Sequence, residues 1–161
     1  MQYKITPNLW FDGNAVEAAE FYCRIFPNSR IGDKTYFTAA NEHGDTGAVM
    51  TVNWYLDGHK FTGINGGPQF KFNTAISFLI ECDTQDEIDH YWNSLLQGGG
   101  KEIECGWLED KFGLSWQVSP RVLQRMLVEG TEKQQDAVSA VFLKMKKLKI
   151  APIVKAYEEA A

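Results

Sequence analysis

Cysteine is scarce in this chain. Three residues among 161, Cys23, Cys82 and Cys105, are odd in number, widely spaced and without a CxxC pair. That pattern argues against a disulfide framework and for reduced thiols in a cytoplasm. Histidine is equally sparse: His43 and His59 fall in expected turns and His90 on an expected helix, with no HxH or HxxxH pair. A metal needs converging His, Asp, Glu or Cys side chains, so the expectation is surface histidines, no metal site and no cofactor. No GxGxxG or GxxxxGK opens a helix, and "GINGGP" reads as a loop rather than a phosphate cradle. No apolar run approaches the roughly 20 residues of a membrane span. The opening "MQYKITPNLW" lacks the apolar centre of a signal peptide. Cations are few as well: 16 Lys and Arg against 21 Asp and Glu, a formal charge of −5, scattered until the C-terminal tail. Neither nucleic acid nor membrane is expected as a partner.

Apolar residues make up 44% of the chain, which supports a sizeable core in one domain or two small fused modules. Residues 3–12 alternate as a strand, with Leu9 and Phe11 on one face and Asn8 and Trp10 on the other. "NAVEAAEFYCRIFP" follows as a helix: Asn14 and Glu17 form a capping pair, Ala18, Ala19, Tyr22, Ile25 and Phe26 a stripe, and Pro27 a stop. Strands are expected at 30–39, 48–56 and 60–65, joined by turns at "NEHGDTG" and "DGH". The order then restarts. "AISFLIEC" (75–82) is a strand, and "TQDEIDHYWNSLLQGGG" a helix with Thr84 and Glu87 as capping box, Ile88, Trp92, Leu95 and Leu96 as stripe and Gly98 as C-cap. Strands at 101–107 and 114–119 complete it, and "GGPQFKFN" (66–73) is the linker.

The chain therefore reads as an α+β domain over 1–120, built of modules at about 3–66 and 75–119, followed by a helical extension over 121–161. In that extension "PRVLQRMLVEG" is a short helix. A second helix over 131–148 opens on a Thr131–Gln134 capping box and carries Val138, Val141, Phe142 and Met145, and Pro152 sits in the first turn of a last helix. Lys144, Lys146, Lys147 and Lys149 read as a solvated face near a helix C-terminus.

Sheets that close over a concave face make ligand pockets. The alternation puts Thr6, Asn8, Trp10, Ser77, Leu79, Gln117 and Ser119 inward, and hydroxyls and amides dominate the polar members. The stretch "CGWLEDKFGLSWQVSP" (105–120) carries a tight turn at 109–113. It puts Ser115, Gln117 and Ser119 on one face and Leu114, Trp116 and Val118 on the other. Cys105 is the best nucleophile candidate, but no His or cation stands beside it, which favours a packing thiol. Trp92 and Trp116 fit helix-to-sheet core, whereas Trp10, Trp54 and Trp107 stay open as pocket walls.

"ITPNLWFDGNAVEAAEFYCRIFPNS", "GINGGPQFKFNTAISFLIECDTQDEIDHYW", "CGWLEDKFGLSWQVSP" and the tail "KMKKLKIAPIVKAY" together resemble the PhnB-like branch of the glyoxalase/bleomycin resistance/dihydroxybiphenyl dioxygenase superfamily, also called vicinal oxygen chelate. Many of these relatives are labelled 3-demethylubiquinone-9 3-methyltransferase-like. The resemblance implies paired βαβββ modules and a homodimer. It also implies four ligand-equivalent positions: near Thr6 to Asn8, within Lys60 to Gly66 with Asn65 as candidate, at Ser77, where metal enzymes carry histidine, and at Gln117, where they carry glutamate. None is a good divalent-metal ligand, and an amide there would hydrogen-bond a neutral polar ligand instead. No Gly-rich methyl-donor unit is present, so the methyltransferase label has no support in the residues. The resulting reading is a metal-free protein that binds a small molecule through Thr6, Asn8, Trp10, Trp54, Ser77, Cys105, Trp107 and Gln117. The alternatives are a metal-dependent lyase, isomerase or dioxygenase, and a structural or regulatory homodimer.

Overall fold

The computed structural model describes residues 4–41 and 43–161, so Tyr3 at the expected start of the first strand and Glu42 in the expected turn lie outside the described residues. The chain divides into two compact units, residues 1–72 and 73–161. In the first, β1 (Asn8–Phe11), α1 (Ala15–Ile25), β2 (Arg30–Tyr36), β3 (Val49–Leu56) and β4 (His59–Asn65) form a helix on a four-stranded sheet of order β1-β4-β3-β2. β1 runs parallel to β4, with Asn8 opposite Thr62 and Phe11 opposite Asn65. A parallel pair needs a long crossover, and α1 with the β2–β3 hairpin supplies it.

The face toward α1 carries Leu9, Phe11, Val52, Trp54, Leu56 and Phe61, all buried. Against them α1 sets Ala18, Ala19, Tyr22 and Ile25 of the expected stripe together with Ala15, while Phe26 is the C-cap residue beyond the helix. Small residues bring the helix close. A Cβ at Gly63 would come within 2.8 Å of the Trp54 ring and 2.9 Å of Ala15 Cβ, so the position tolerates no side chain. Trp54 stacks on Phe61 at 5.8 Å between ring centres.

The helix start differs from expectation. Asn14 is the N-cap residue, but its side chain makes no cap hydrogen bond. The Ala15 amide instead donates to Asn65 Oδ1 at 3.0 Å, and Asn65 Nδ2 donates to the Val49 carbonyl at 3.0 Å. One amide from β4 thus satisfies an orphan helix donor and ties down β3.

The second unit repeats the plan. β5 (Ser77–Cys82), α2 (Gln85–Leu95), β6 (Lys101–Glu102), β7 (Trp107–Glu109) and β8 (Ser115–Pro120) give the sheet order β5-β8-β7-β6, with β5 parallel to β8. The Thr84–Glu87 capping box is formed. Ile80, Cys82, Ile88, Trp92, Leu95, Leu108, Trp116 and Val118 fill the space between helix and sheet. The C-cap of α2 is Leu96, and Gly98, at φ 81°, lies in the turn beyond it. The strand expected at 101–107 divides into β6 and β7, because Cys105 and Gly106 take φ of 60° and 82° and reverse the chain. The next turn is held by Asp110, only 2% exposed. Its Oδ1 accepts from the Phe112 and Leu114 amides at 2.9 and 3.1 Å, and its Oδ2 accepts from Trp116 Nε1 at 2.8 Å.

Three helices follow in the same unit: α3 (Arg121–Glu129), α4 (Glu132–Phe142) and α5 (Ile150–Glu159). Leu123, Met126, Val138, Leu148 and Ile153 make their core. The Thr131–Gln134 capping box forms, and Pro152 lies in the first turn of α5. The helix expected over 131–148 stops at Phe142, and beyond it the chain pairs with the turn before β7. Met145 O accepts from Cys105 N at 2.6 Å and Lys146 O from Gly106 N at 2.7 Å. The lysine run is accordingly a strap rather than a helix face. Lys147 pairs with Asp89 at 2.8 Å, Lys146 approaches Glu102 at 3.9 Å, and Gln85 bonds both Leu148 O and Ile150 N. Among the described residues no helix is long and apolar enough to cross a membrane.

Asp110→Ala removes three hydrogen bonds and leaves the indole N–H of Trp116 buried without a partner. The expected cost is about 2–4 kcal/mol in urea unfolding, from the loss of charged hydrogen bonds and the stranded donor. A cost under about 0.5 kcal/mol would show that the carboxylate does not hold the turn.

Candidate functional site

Strand alternation gives each sheet an open face opposite its helix. In the first unit that face carries Asn8 and Trp10 of β1, Thr62 and Ile64 of β4, and Thr51 and Asn53 of β3, set in register across the strands. Thr62 Oγ1 donates to Asn53 Oδ1 at 2.7 Å. Asn8 Nδ2 donates to the carbonyl of Thr6 at 2.9 Å, so Thr6 takes part through its backbone. Trp10 Nε1 donates to the Gly67 carbonyl at 2.8 Å, and Phe70 meets the indole edge-on at 5.0 Å. Gly66 lies under the same ring, where an added Cβ would collide with it. The "GGP" loop is therefore a seat for Trp10. Beside it opens a cavity of about 790 Å³ whose walls include Trp10, Val16, Phe37, Met50, Ile64 and Gln69.

Two expectations for this unit are corrected. Trp54 is not on the face of Trp10: it is fully buried on the α1 side, because positions 52, 54 and 56 of β3 all point to the helix. Asn65 shares the helix-side parity of Phe61 and is occupied with Ala15 and Val49, so the open-face positions of β4 are Thr62 and Ile64.

In the second unit the open face carries Ser77, Leu79 and Glu81 of β5 and Ser115, Gln117 and Ser119 of β8. Gln117 lies opposite Leu79 on one side and Trp107 on the other. Its Nε2 donates to Ser77 Oγ at 2.8 Å, across the parallel β5–β8 pair. Ser77, Trp107 and Gln117 thus come together. Cys105 does not join them. Its Sγ faces the Leu143 carbonyl at 3.7 Å and its amide bonds Met145, because the left-handed turn at 105–106 directs it to the C-terminal strap.

Ser115 shares the Gln117 face, as the alternation of "LSWQVSP" indicates, and was not among the expected site residues. It is fully buried, and its hydroxyl has no partner among the described residues. Alternation reveals its face, but only tertiary packing reveals its burial. Asp110 had a signal in the turn pattern "EDKFG", since Asp favours bonds to amides two residues on.

The resemblance read from the sequence implies a divalent metal, and the residues present do not fit one. Of the four ligand-equivalent positions, Ser77 and Gln117 are bonded to each other, Asn65 points to the helix, and the β1 position offers Asn8 or Thr6. None supplies the imidazole or carboxylate that binds such ions. Among the described residues no three His, Cys, Asp or Glu side chains gather as a metal would need.

Two thiols, Cys82 and Cys23, are held toward the neutral form. Burial, then the charges of Glu87 and Asp83, pushes Cys82 up to about 12, and burial raises Cys23. A thiol that ionises near 9 when unfolded and near 12 when folded stabilises the fold fully below pH 9 and loses that contribution as pH rises toward 12. The melting-temperature gap between the parent and Cys82→Ala should therefore shrink from pH 8 to pH 11. A constant gap would contradict the burial of that thiol.

Residues 3–119 match the family model described as 3-demethylubiquinone-9 3-methyltransferase. The chain is similar to the solved structure of the PhnB protein from Bacillus cereus: 32% identity over 73% of this chain and 99% of that one, with a TM-score of 0.66. A protein from Pseudomonas aeruginosa shares the fold at 20% identity, covering 74% of this chain and 98% of that chain, with a TM-score of 0.61. A fosfomycin resistance protein from Listeria monocytogenes, complexed with Mn(II) and sulfate, shares it at 11% identity, 81% and 99% coverage and a TM-score of 0.55. No curated protein matches.

Proposed function

Since the chain belongs to the PhnB-like 3-demethylubiquinone-9 3-methyltransferase family, within the glyoxalase/bleomycin resistance superfamily, we propose that it is a metal-free member that binds a small neutral molecule on the open faces of its sheets. The observation that carries this reading is the Gln117–Ser77 hydrogen bond. Where a metal enzyme of the superfamily would hold a carboxylate and an imidazole, this chain holds an amide and a hydroxyl that satisfy each other. A neutral pair of this kind exchanges hydrogen bonds with polar groups but has little affinity for Zn, Ni, Fe or Mn. The indoles of Trp10 and Trp107 support the reading by adding flat apolar surface beside the amides, the usual composition of a ligand site.

The family's name is not the proposal. Each four-stranded sheet is mixed and carries its own helix, unlike the doubly wound parallel sheet with a Gly-rich turn that the usual methyl-donor site uses. The proposed assembly is a homodimer, supported by exposed apolar side chains at Ile76 and Val128. The three free thiols support a cytoplasmic setting.

Protein purified without chelator should carry well under one equivalent of any transition metal by plasma mass spectrometry. Native mass spectrometry of the same sample should show a dimer retaining a small organic mass. A full equivalent of one metal per chain that disappears in Gln117→Ala would overturn the proposal.

A further inference from the structure

The row centred on Gln117 has hydrogen-bonding capacity that the protein does not use. Gln117 Nε2 donates to Ser77 Oγ, which leaves Gln117 Oε1 as an acceptor and the Ser77 hydroxyl as a donor without partners among the described residues. In either orientation of the amide the pair keeps one unspent donor and one unspent acceptor side by side. The indole N–H of Trp107, in register with Gln117, adds a second donor without a partner among the described residues. Ser115, in register with Ser77, is wholly buried with its hydroxyl unpartnered. Buried polar groups are almost always satisfied, so unmet capacity beside a half-buried amide marks a place where something else binds.

Charge narrows the class. The cations of this neighbourhood are taken: Lys101 pairs with Glu109 at 2.8 Å, and Arg121 pairs with Glu81 and Asp83 at 3.0 and 3.1 Å. Glu109 sits in register with Ser115, and Glu81 follows Leu79 on β5, so the face is flanked by carboxylates. Among the described residues of this neighbourhood, an anion would meet two cations already engaged by carboxylates and would have to compete with those carboxylates for them. Apolar surface flanks Gln117 on both sides, from Trp107 and from Leu79, which is 51% exposed. A flat ring fits that surface.

We propose that the Ser77–Gln117–Trp107 row of the second unit recognises a neutral carboxamide attached to a flat ring. The amide carbonyl accepts from the Ser77 hydroxyl or the Trp107 indole, and the amide N–H donates to Gln117 Oε1. The ring lies against Trp107 and Leu79. This rests on the metal-free binding reading and adds the ligand class to it.

Benzamide and benzoate are nearly the same shape and differ in charge, so they form the test. The full chain, labelled with ¹⁵N, is titrated with each, following the Gln117 side-chain amide and the Trp107 indole N–H by NMR. Benzamide should shift both signals saturably, and benzoate should bind at least tenfold more weakly. Gln117→Ala should weaken benzamide about tenfold, the loss expected for one or two neutral hydrogen bonds. Trp107→Phe, which keeps a ring and deletes the N–H, should weaken it by a smaller factor and covers the case in which Gln117→Ala unfolds. Equal binding of benzoate, or no shift at either signal up to the solubility limit of benzamide, overturns the proposal. If another small molecule is still retained in native mass spectrometry, the carboxamide class alone fails. A stoichiometric metal instead overturns the reading beneath it.

Discussion

The parallel pairing of the first and last strands in each unit is the constraint from which the rest follows. β1 joins β4 and β5 joins β8, and neither pair can form without a crossover that packs a helix on one side of the sheet. Once the helix has taken one face, alternation leaves the other face open, and the residues paired across the parallel strands lie on that face toward the β1 or β5 edge of the sheet. Asn8 meets Thr62 and Leu79 meets Gln117 for this reason. The Gln117–Ser77 bond spans this parallel pair.

Side-chain size and polarity then divide the work between the two faces. Toward α1, three alanines of the helix and Gly63 of the sheet let Trp54 and Tyr22 pack without a gap. The polar residues that hold the frame are also few and specific. Asn65 supplies the missing cap of α1, Asp110 closes the turn before β8, and Gln85 fastens the start of α5. Each satisfies backbone donors that would otherwise be stranded, a role distinct from that of Gln117, whose acceptor remains unspent.

Much of the frame was legible because it is local. The Thr84–Glu87 and Thr131–Gln134 boxes involve four consecutive residues, and both form as read. The alternation of "LSWQVSP" separates Trp116 from Gln117 without any tertiary knowledge, and the structure keeps that separation. What escaped is non-local. In "VMTVNWYL" alternation groups Trp54 with Met50, Val52 and Leu56, but only the packing of α1 shows that this face is the buried one. The strap beyond α4 is held by amides at Cys105 and Gly106, far earlier in the chain, and no local signal after Leu143 announces it. Asn65 reads as a strand-end polar residue and only the closed sheet brings it to Ala15.

On the metal-free reading, a hydrogen bond between an amide and a hydroxyl takes the place of metal chemistry on the second sheet. A double-mutant cycle on Ser77→Ala and Gln117→Ala, read by urea unfolding of the full chain, tests it most directly. A coupling free energy of about 0.5–1.5 kcal/mol is expected, the range of a partly buried neutral hydrogen bond. Strictly additive effects of the two substitutions would contradict it.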